Sequence, residues 1–276
     1  MRSKYIVCEL LAEITKELSP FIERASREAQ LLLMSYLQKD ELWLITHRDS
    51  ELENLEELLF WVERRKRNEP LEYITQSVSF YSEEFFIKEG ALIPRPETEL
   101  LIDEVKKHVQ NADAPIRFVE VGIGSGIISI ILALYYKNAS FIAVDVSQDA
   151  LNIAKINIEK FGLTGRIELR LGSLLEPVSE EIEYLVSNPP YIKNGIELDS
   201  NLSYEPQNAL FGGTIGDEII KELLDEVLRR EIKFFSCEFG YDQKDKIQTY
   251  LQDKNYKSLE FYRDYSGFDR GFTLKL

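Results

Sequence analysis

Residues 187–191 read Ser-Asn-Pro-Pro-Tyr, directly after the apolar run Tyr184, Leu185 and Val186, which predicts a buried strand. Two prolines stop a strand, because neither donates a ladder hydrogen bond, and they stiffen the corner that follows. The side-chain oxygen of Asn188 and the carbonyl of Pro189 can both accept from one planar NH2 group, with Pro190 and Tyr191 shaping the wall beside it. Such a pair suits a nitrogen whose lone pair is delocalised, either a side-chain amide or the exocyclic amine of adenine. Two acceptors orient that nitrogen and stabilise the positive charge that develops as it attacks. No strong general base is required, since the proton can leave after transfer.

An electrophile must face this corner. The stretch "EVGIGSG" places Glu120 and then Gly122, Ile123, Gly124, Ser125 and Gly126 between a predicted strand and a helix. A dinucleotide fingerprint would read G-x-G-x-x-G, but residue 127 is Ile. The observed G-x-G-x-G is the loop expected for S-adenosylmethionine, where it wraps an amino acid and a ribose. Asp145 ends the next predicted strand, where a carboxylate can accept from both ribose hydroxyls. Taken singly, the glycines also fit a tight turn and Asp145 a helix cap. Their order on consecutive strands selects a nucleoside cofactor. In an open parallel sheet ligands sit beyond the carboxyl ends of the strands, so the glycine loop and the Pro-Pro corner should face each other there.

The elements that must position these residues are legible as periodicities. Through residue 75 the pattern is helical and glycine is absent. Leu10, Leu11, Ile14 and Leu18 share a face; so do Ala25, Ala29, Leu32 and Leu33; a third helix starting near Ser50 carries Leu55, Leu58, Leu59 and Val62. Alternation from Ser77 to Pro94 predicts a β-hairpin. From Ile116 onward strands alternate with helices, which predicts a mostly parallel sheet covered by helices, closed by an antiparallel hairpin. The expected organisation is a helical domain over 1–75, a hairpin linker over 76–95 and a Rossmann-like α/β catalytic domain over 96–276.

Composition narrows the partners. The 276-residue chain carries a net charge of −15, which argues against extended phosphate contact with nucleic acid. Its one dense basic run, Arg64 to Arg67, reads as a helix C-terminus. The longest apolar stretch, Ile127 to Tyr136, is too short to span a bilayer. Cys8 and Cys237 match no disulfide or metal spacing, and with only two histidines no metal site is expected. These features predict a cytoplasmic protein, with nothing that calls for more than a monomer.

With these residues in place, the chain resembles the N5-glutamine methyltransferases that modify class-I peptide-chain release factors. "NEPLEYI", "LIPRPETELLID", "EVGIGSG", "AVDVS", "SNPPYI", "YEPQNALFGG" and "EFGYDQ" occur in that family's order and cover nearly the whole chain. "IPRPETE" is the more specific signal, since the sister enzymes acting on a large-subunit ribosomal protein lack it. The resemblance implies that Gly122 to Gly126 and Asp145 hold S-adenosylmethionine, leaving S-adenosylhomocysteine as product. It implies that Asn188 and the Pro189 carbonyl grip a glutamine amide beside Tyr191. The substrate would be the glutamine of a release factor's Gly-Gly-Gln loop, and the helical domain would contact the factor elsewhere. Arg95, Glu97 and Glu99 would meet cofactor or neighbouring loops, or join the domains. Four departures stand out: Ile123 replaces a usual threonine; Ser173 replaces an aspartate, leaving Leu174 to pack on adenine; the Pro-Gly-Gly turn before "KFFSCEFG" is missing; and Phe268 occupies a usually polar position. The alternatives are a ribosomal-protein glutamine, an adenine amine of nucleic acid as the opposite substrate class, or a non-catalytic S-adenosylmethionine-binding scaffold.

Overall fold

The computed structural model describes residues 4–276. They form two compact units: the N-terminal residues through Ser77 together with Asp199–Tyr204, and Val78–Leu198 together with Glu205–Leu276.

The first unit holds α1 (Val7–Leu18), α2 (Ala25–Leu37), α3 (Glu41–Thr46), α4 (Glu56–Arg65) and α5 (Leu71–Thr75). The apolar faces of α1, α2 and α4 close on a core of Leu10, Ile14, Leu18, Leu32, Leu33, Leu58 and Val62. Leu11 stays only partly buried at its margin. The third predicted helix begins later than its periodicity suggested, because Glu51–Leu52 pairs as a short strand with Tyr5–Ile6. The short helix α3 was not anticipated; Asp40 caps it by accepting from the Trp43 N–H at 2.8 Å. Without glycine, left-handed turns fall to Gln38, Asn54, Asn68 and Gln76, all at positive φ. The basic run closes α4 and is ion-paired: Arg64 to Glu69, Arg65 to Glu28, and Lys66 to Glu63 and Glu17. The segment Asp199–Tyr204 is held in this unit by Asn68 donating to Ser200 Oγ at 3.1 Å and Tyr204 donating to the Arg67 carbonyl at 2.9 Å.

In the second unit the strands are β1 (Arg117–Val121), β2 (Ser140–Asp145), β3 (Ile167–Leu171), β4 (Tyr184–Ser187), β5 (Phe234–Glu238), β6 (Ser258–Arg263) and β7 (Asp269–Lys275). They form one seven-stranded sheet in the order β6-β7-β5-β4-β1-β2-β3. The first five strands run parallel and β7 is antiparallel to both of its neighbours. Helices α6 (Thr98–His108), α7 (Ile127–Tyr135), α8 (Gln148–Lys160), α9 (Glu218–Arg229) and α10 (Lys244–Leu251) surround it.

Alternation along β1 serves two cores. Phe118 joins Phe141, Ile128, Leu132 and Ala154 on one face, while Val119 and Val121 join Leu185, Leu223 and Phe235 on the other. The hairpin Ser77–Phe80 and Glu83–Phe86 contributes Phe80 and Phe85 to the first of these cores. Asn157 of α8 secures it, accepting from the Phe86 N–H at 2.7 Å and donating to the Phe86 carbonyl at 2.9 Å. From Val78 the hairpin is thus part of the sheet unit, a covalent neighbour of the helices but a packing partner of the sheet.

The missing Pro-Gly-Gly turn is replaced by a tight helix exit. Glu231 takes φ +55°, and the Ile232 N–H donates to the Val227 carbonyl at 3.0 Å. That is the bond pattern of a glycine-ended helix made with glutamate. Phe268 lies in the β6–β7 turn with its ring 5.8 Å from that of Tyr241. Among the described residues, no helix is long and apolar enough to cross a membrane.

Candidate active site

β1 pairs with β4 on one side and β2 on the other, and their carboxyl ends open onto one cavity. The cavity is lined by Gly122 to Ser125, Asp145, Ser173, Leu174, Asn188, Pro189 and Pro190. Val121 and Ser187 are register partners, and the Ser187 hydroxyl donates to the Val121 carbonyl at 2.8 Å. The glycine loop and the Pro-Pro corner therefore stand side by side, as the sequence predicts.

The loop is shaped by what it must approach. Gly122, Gly124 and Gly126 all have positive φ. A Cβ on Gly126 would lie 3.1 Å from Ile130 and 3.5 Å from Ala154, so this glycine lets α7 and α8 close together. A Cβ on Gly124 would meet nothing within 4 Å and would project into the open cradle. Asp145 anchors the loop: its Oδ2 accepts from the Gly124 N–H at 3.0 Å and its Oδ1 from the Ser147 N–H at 2.9 Å. The carboxylate keeps lone-pair capacity for a hydroxyl beyond these donors. Burial raises the Asp145 pKa, and the backbone donors from Gly124, Ser147 and Val146 oppose that rise.

Glu120 lies beneath the loop, fully buried. Its Oε2 accepts from the N–H and hydroxyl of Ser129, while Oε1 has no partner. Burial pushes its carboxyl up to about 8.

The corner after β4 is braced by its neighbours. The Asn188 Nδ2 donates to Thr98 Oγ1 at 3.0 Å, and the Thr98 hydroxyl donates to Glu238 Oε2 at 2.7 Å. The other oxygen of Glu238 lies 3.4 Å from the Tyr191 hydroxyl. Gln243 donates to the carbonyls of Tyr191 at 3.0 Å and Gly216 at 2.9 Å, while accepting from the Gly240 N–H at 3.0 Å. Tyr191 is not among the residues that line the cavity; it packs half-buried against the second core, its hydroxyl pKa driven up by burial and then by the Glu238 charge.

Two of the three charges of "IPRPETE" have structural partners, and Arg95 also lines the cavity. Arg95 pairs with Glu205 at 2.5 Å, and Glu205 also accepts from the Ile93 N–H at 3.0 Å. Glu99 accepts from the Tyr81 N–H at 2.7 Å. Thr98, Glu205, Glu238 and Gln243 were not singled out from sequence. They lie inside the quoted motifs, but Thr98 is 90 residues from Asn188 and 140 from Glu238, so no spacing connects them.

An open cradle of glycines, a carboxylate at the end of the adjoining strand and the Asn188–Pro190 corner lining the same cavity fit a nucleoside-borne sulfonium and an attacking NH2 group. Fold and site together define an S-adenosylmethionine-dependent methyltransferase. The fold is shared with the hMettl16 catalytic domain solved with a MAT2A 3′UTR hairpin, at TM-score 0.59 and 15% identity over 82% of this chain and 84% of that one. It is also shared with the N-terminal domain of human METTL16 in complex with SAH, at TM-score 0.50 and 17% identity over 69% and 75%. At such identities the likeness is one of fold alone.

Two family descriptions match this sequence: PrmC N-terminal domain over residues 9–75 and methyltransferase small domain over residues 96–205. The release factor glutamine methyltransferase of Dictyoglomus turgidum is 36% identical over 267 residues, covering 92% of each chain. Those of Enterococcus faecalis and Clostridium acetobutylicum are 33% and 31% identical, over 94% and 88% of this chain and 96% and 88% of theirs. The chain belongs to the release factor glutamine methyltransferase family.

Proposed function

We propose that the protein methylates the side-chain amide nitrogen of the glutamine in the Gly-Gly-Gln motif of class-I peptide-chain release factors, and so tunes translation termination. The observation that supports this reading is the Asn188–Pro189 corner lining one cavity with the glycine loop, in a chain that belongs to the release factor glutamine methyltransferase family.

S-adenosylmethionine supplies an electrophilic methyl group when bound. Gly122, Ile123, Gly124 and Ser125 would hold its amino-acid and ribose portions, Asp145 its ribose hydroxyls and Leu174 its adenine, with Gly126 shaping the loop by letting the helices close. Asn188 Oδ1 and the Pro189 carbonyl would accept both N–H bonds of the incoming amide. That grip fixes the nitrogen and favours the geometry in which its lone pair is available. As charge grows on nitrogen, both acceptors stabilise it, so the grip tightens toward the transition state. Pro190 would wall the amide and exclude water. The Tyr191 hydroxyl, its pKa raised, stays protonated and faces Glu238, so it serves as a hydrogen-bond donor instead of a base.

The helical unit is proposed to bind the body of the release factor, leaving its glutamine loop to reach the cavity. Leu42, Ile45 and Phe60 are exposed on that unit, apolar surface of the kind a protein partner covers. A monomer is proposed to suffice.

The test is peptide mass spectrometry on a purified release factor incubated with the protein and S-adenosylmethionine. The expected result is one methyl on the Gly-Gly-Gln glutamine, absent with Asn188→Ala. An unmodified factor, in the presence of cofactor binding, would reject this substrate and direct the assay to ribosomal protein and then to adenine in nucleic acid.

A further inference from the structure

We propose that Thr98 and Glu238 are positioning residues that decide which way the Asn188 amide faces, and that this polarity reverses when Glu238 takes up a proton. The proposal rests on the reading of Asn188 as the acceptor of the substrate amide.

A side-chain amide has nearly the same shape when turned through 180°, but its polarity inverts. Facing the cavity with its oxygen, Asn188 accepts from a substrate NH2; facing it with nitrogen, it sets two donors against two donors. The choice is made at the cavity wall, where Thr98 stands beside Asn188. A threonine hydroxyl has one proton to give. That proton goes to Glu238 Oε2 at 2.7 Å, since an ionised carboxylate only accepts. Thr98 Oγ1 can then only accept, and it does so from Asn188 Nδ2 at 3.0 Å. The Asn188 oxygen is left for the cavity that Asn188 lines. Thr98 lines the same cavity but, like Glu238, is only 1% exposed, so both depend chiefly on protein partners.

The order of donors inverts when a proton sits on Oε2, the oxygen that faces Thr98, while Oε1 keeps the Tyr191 hydroxyl. A neutral Glu238 can donate to Thr98, whose hydroxyl then turns to donate to Asn188 and draws the amide oxygen away from the cavity. Glu238 is faced by Glu97 and Thr98 at the start of α6, Tyr191 after β4, its neighbour Cys237 on β5, Tyr262 on β6 and Arg270 on β7. Burial raises its pKa most; Thr98, Arg270 and Tyr191 pull it down, Glu97 pushes it up, and it settles at about 7. A raised carboxyl is ionised above that value and neutral below it. The productive polarity therefore holds on the alkaline side, and turnover falls on the acid side.

The test uses the full-length enzyme with a purified class-I release factor, and Thr98→Val, Thr98→Ser, Glu238→Gln and Asn188→Ala variants. Thr98→Val is expected to lower kcat about 100-fold while affinity for S-adenosylhomocysteine, by calorimetry, stays within about 3-fold. Thr98→Ser, which keeps the hydroxyl, is expected to restore most of the rate. Wild-type kcat should show an acid limb near pH 7 that Glu238→Gln flattens. In the protein without cofactor or substrate, the Asn188 side-chain NH2 resonances, assigned by their loss in Asn188→Ala, should shift with the same midpoint and cease to do so in Thr98→Val. Wild-type turnover in Thr98→Val alongside an inactive Asn188→Ala would remove the relay and leave the amide grip standing. Equal loss in Thr98→Val and Thr98→Ser would reduce Thr98 to a packing residue and overturn the proposal. An acid limb unchanged in Glu238→Gln would overturn its proton-linked part. An active Asn188→Ala would instead sink the amide grip itself.

Discussion

Gly212 lies so close to Pro190 that a Cβ on it would stand 2.4 Å from the Pro190 carbonyl oxygen. The same Cβ would stand 2.6 Å from the Gly216 carbonyl oxygen, and one on Gly216 would stand 2.6 Å from that of Tyr191. The glycines after the corner thus let a second segment of backbone pack directly against it.

Because those contacts are with backbone, which cannot swing aside, Gly212→Ala must displace the corner. We expect a stability loss of about 1–3 kcal/mol, seen in thermal unfolding, and a fall in kcat larger than the change in cofactor affinity. An alanine variant with wild-type kcat and midpoint would show that the corner tolerates movement.

Asn188→Ala removes one of two acceptors for the incoming NH2 group. Transfer is expected to fall by roughly 100- to 1,000-fold, as when one preorganised group at a developing charge is lost. Cofactor affinity should change little. Quantitative peptide mass spectrometry and calorimetry separate the two effects, and a near wild-type methylation rate would refute the amide grip.

Asp145 both anchors the Gly124 N–H and, in the proposed site, accepts from ribose. Asp145→Ala is expected to weaken S-adenosylmethionine binding by at least about 10-fold, since a hydrogen bond to a charged group contributes roughly 1.5–3 kcal/mol. Calorimetry on the purified variant measures it; an unchanged dissociation constant undoes the assignment.

Glu120 makes stability depend on pH. Its carboxyl rises from the ordinary range to about 8 on folding, first through burial. Between those values the folded chain holds a proton that the unfolded chain has released, so stability falls as pH rises from about 4.5 to about 8 and is regained on acidification. At about 1.4 kcal/mol per pH unit, the loss attributable to this group is a few kcal/mol. Glu120→Gln should flatten that part of the curve in denaturant unfolding of the cofactor-free protein. A slope equally steep in the variant would assign it to another group.

Glu231 holds a left-handed conformation where glycine carries no steric penalty. Glu231→Gly is expected to raise stability by about 0.5–1 kcal/mol, the relief of strain exceeding the added entropy of the unfolded chain. Urea unfolding at neutral pH tests this, and destabilisation would show that the glutamate side chain outweighs its backbone strain.

By itself the sequence determined the strand-helix alternation, the glycine loop, Asp145 and the Pro-Pro corner. These are encoded locally: period-2 and 3.6 patterns, glycines that accept positive φ, and prolines that end a ladder are properties of neighbouring residues. It also led from the residues to two kinds of acceptable nitrogen, and its motifs to one family. Tertiary structure alone decided what stands beside Asn188. Thr98 opens α6 and Glu238 ends β5, and only the sheet order brings both to the carboxyl end of β4. Tertiary structure also assigned Phe80 and Phe85 to the core of the sheet unit, and Asp199–Tyr204 to the helical one. No local pattern encodes such partners, because a buried hydrogen bond or an apolar contact is selected by which surfaces meet after the chain has folded.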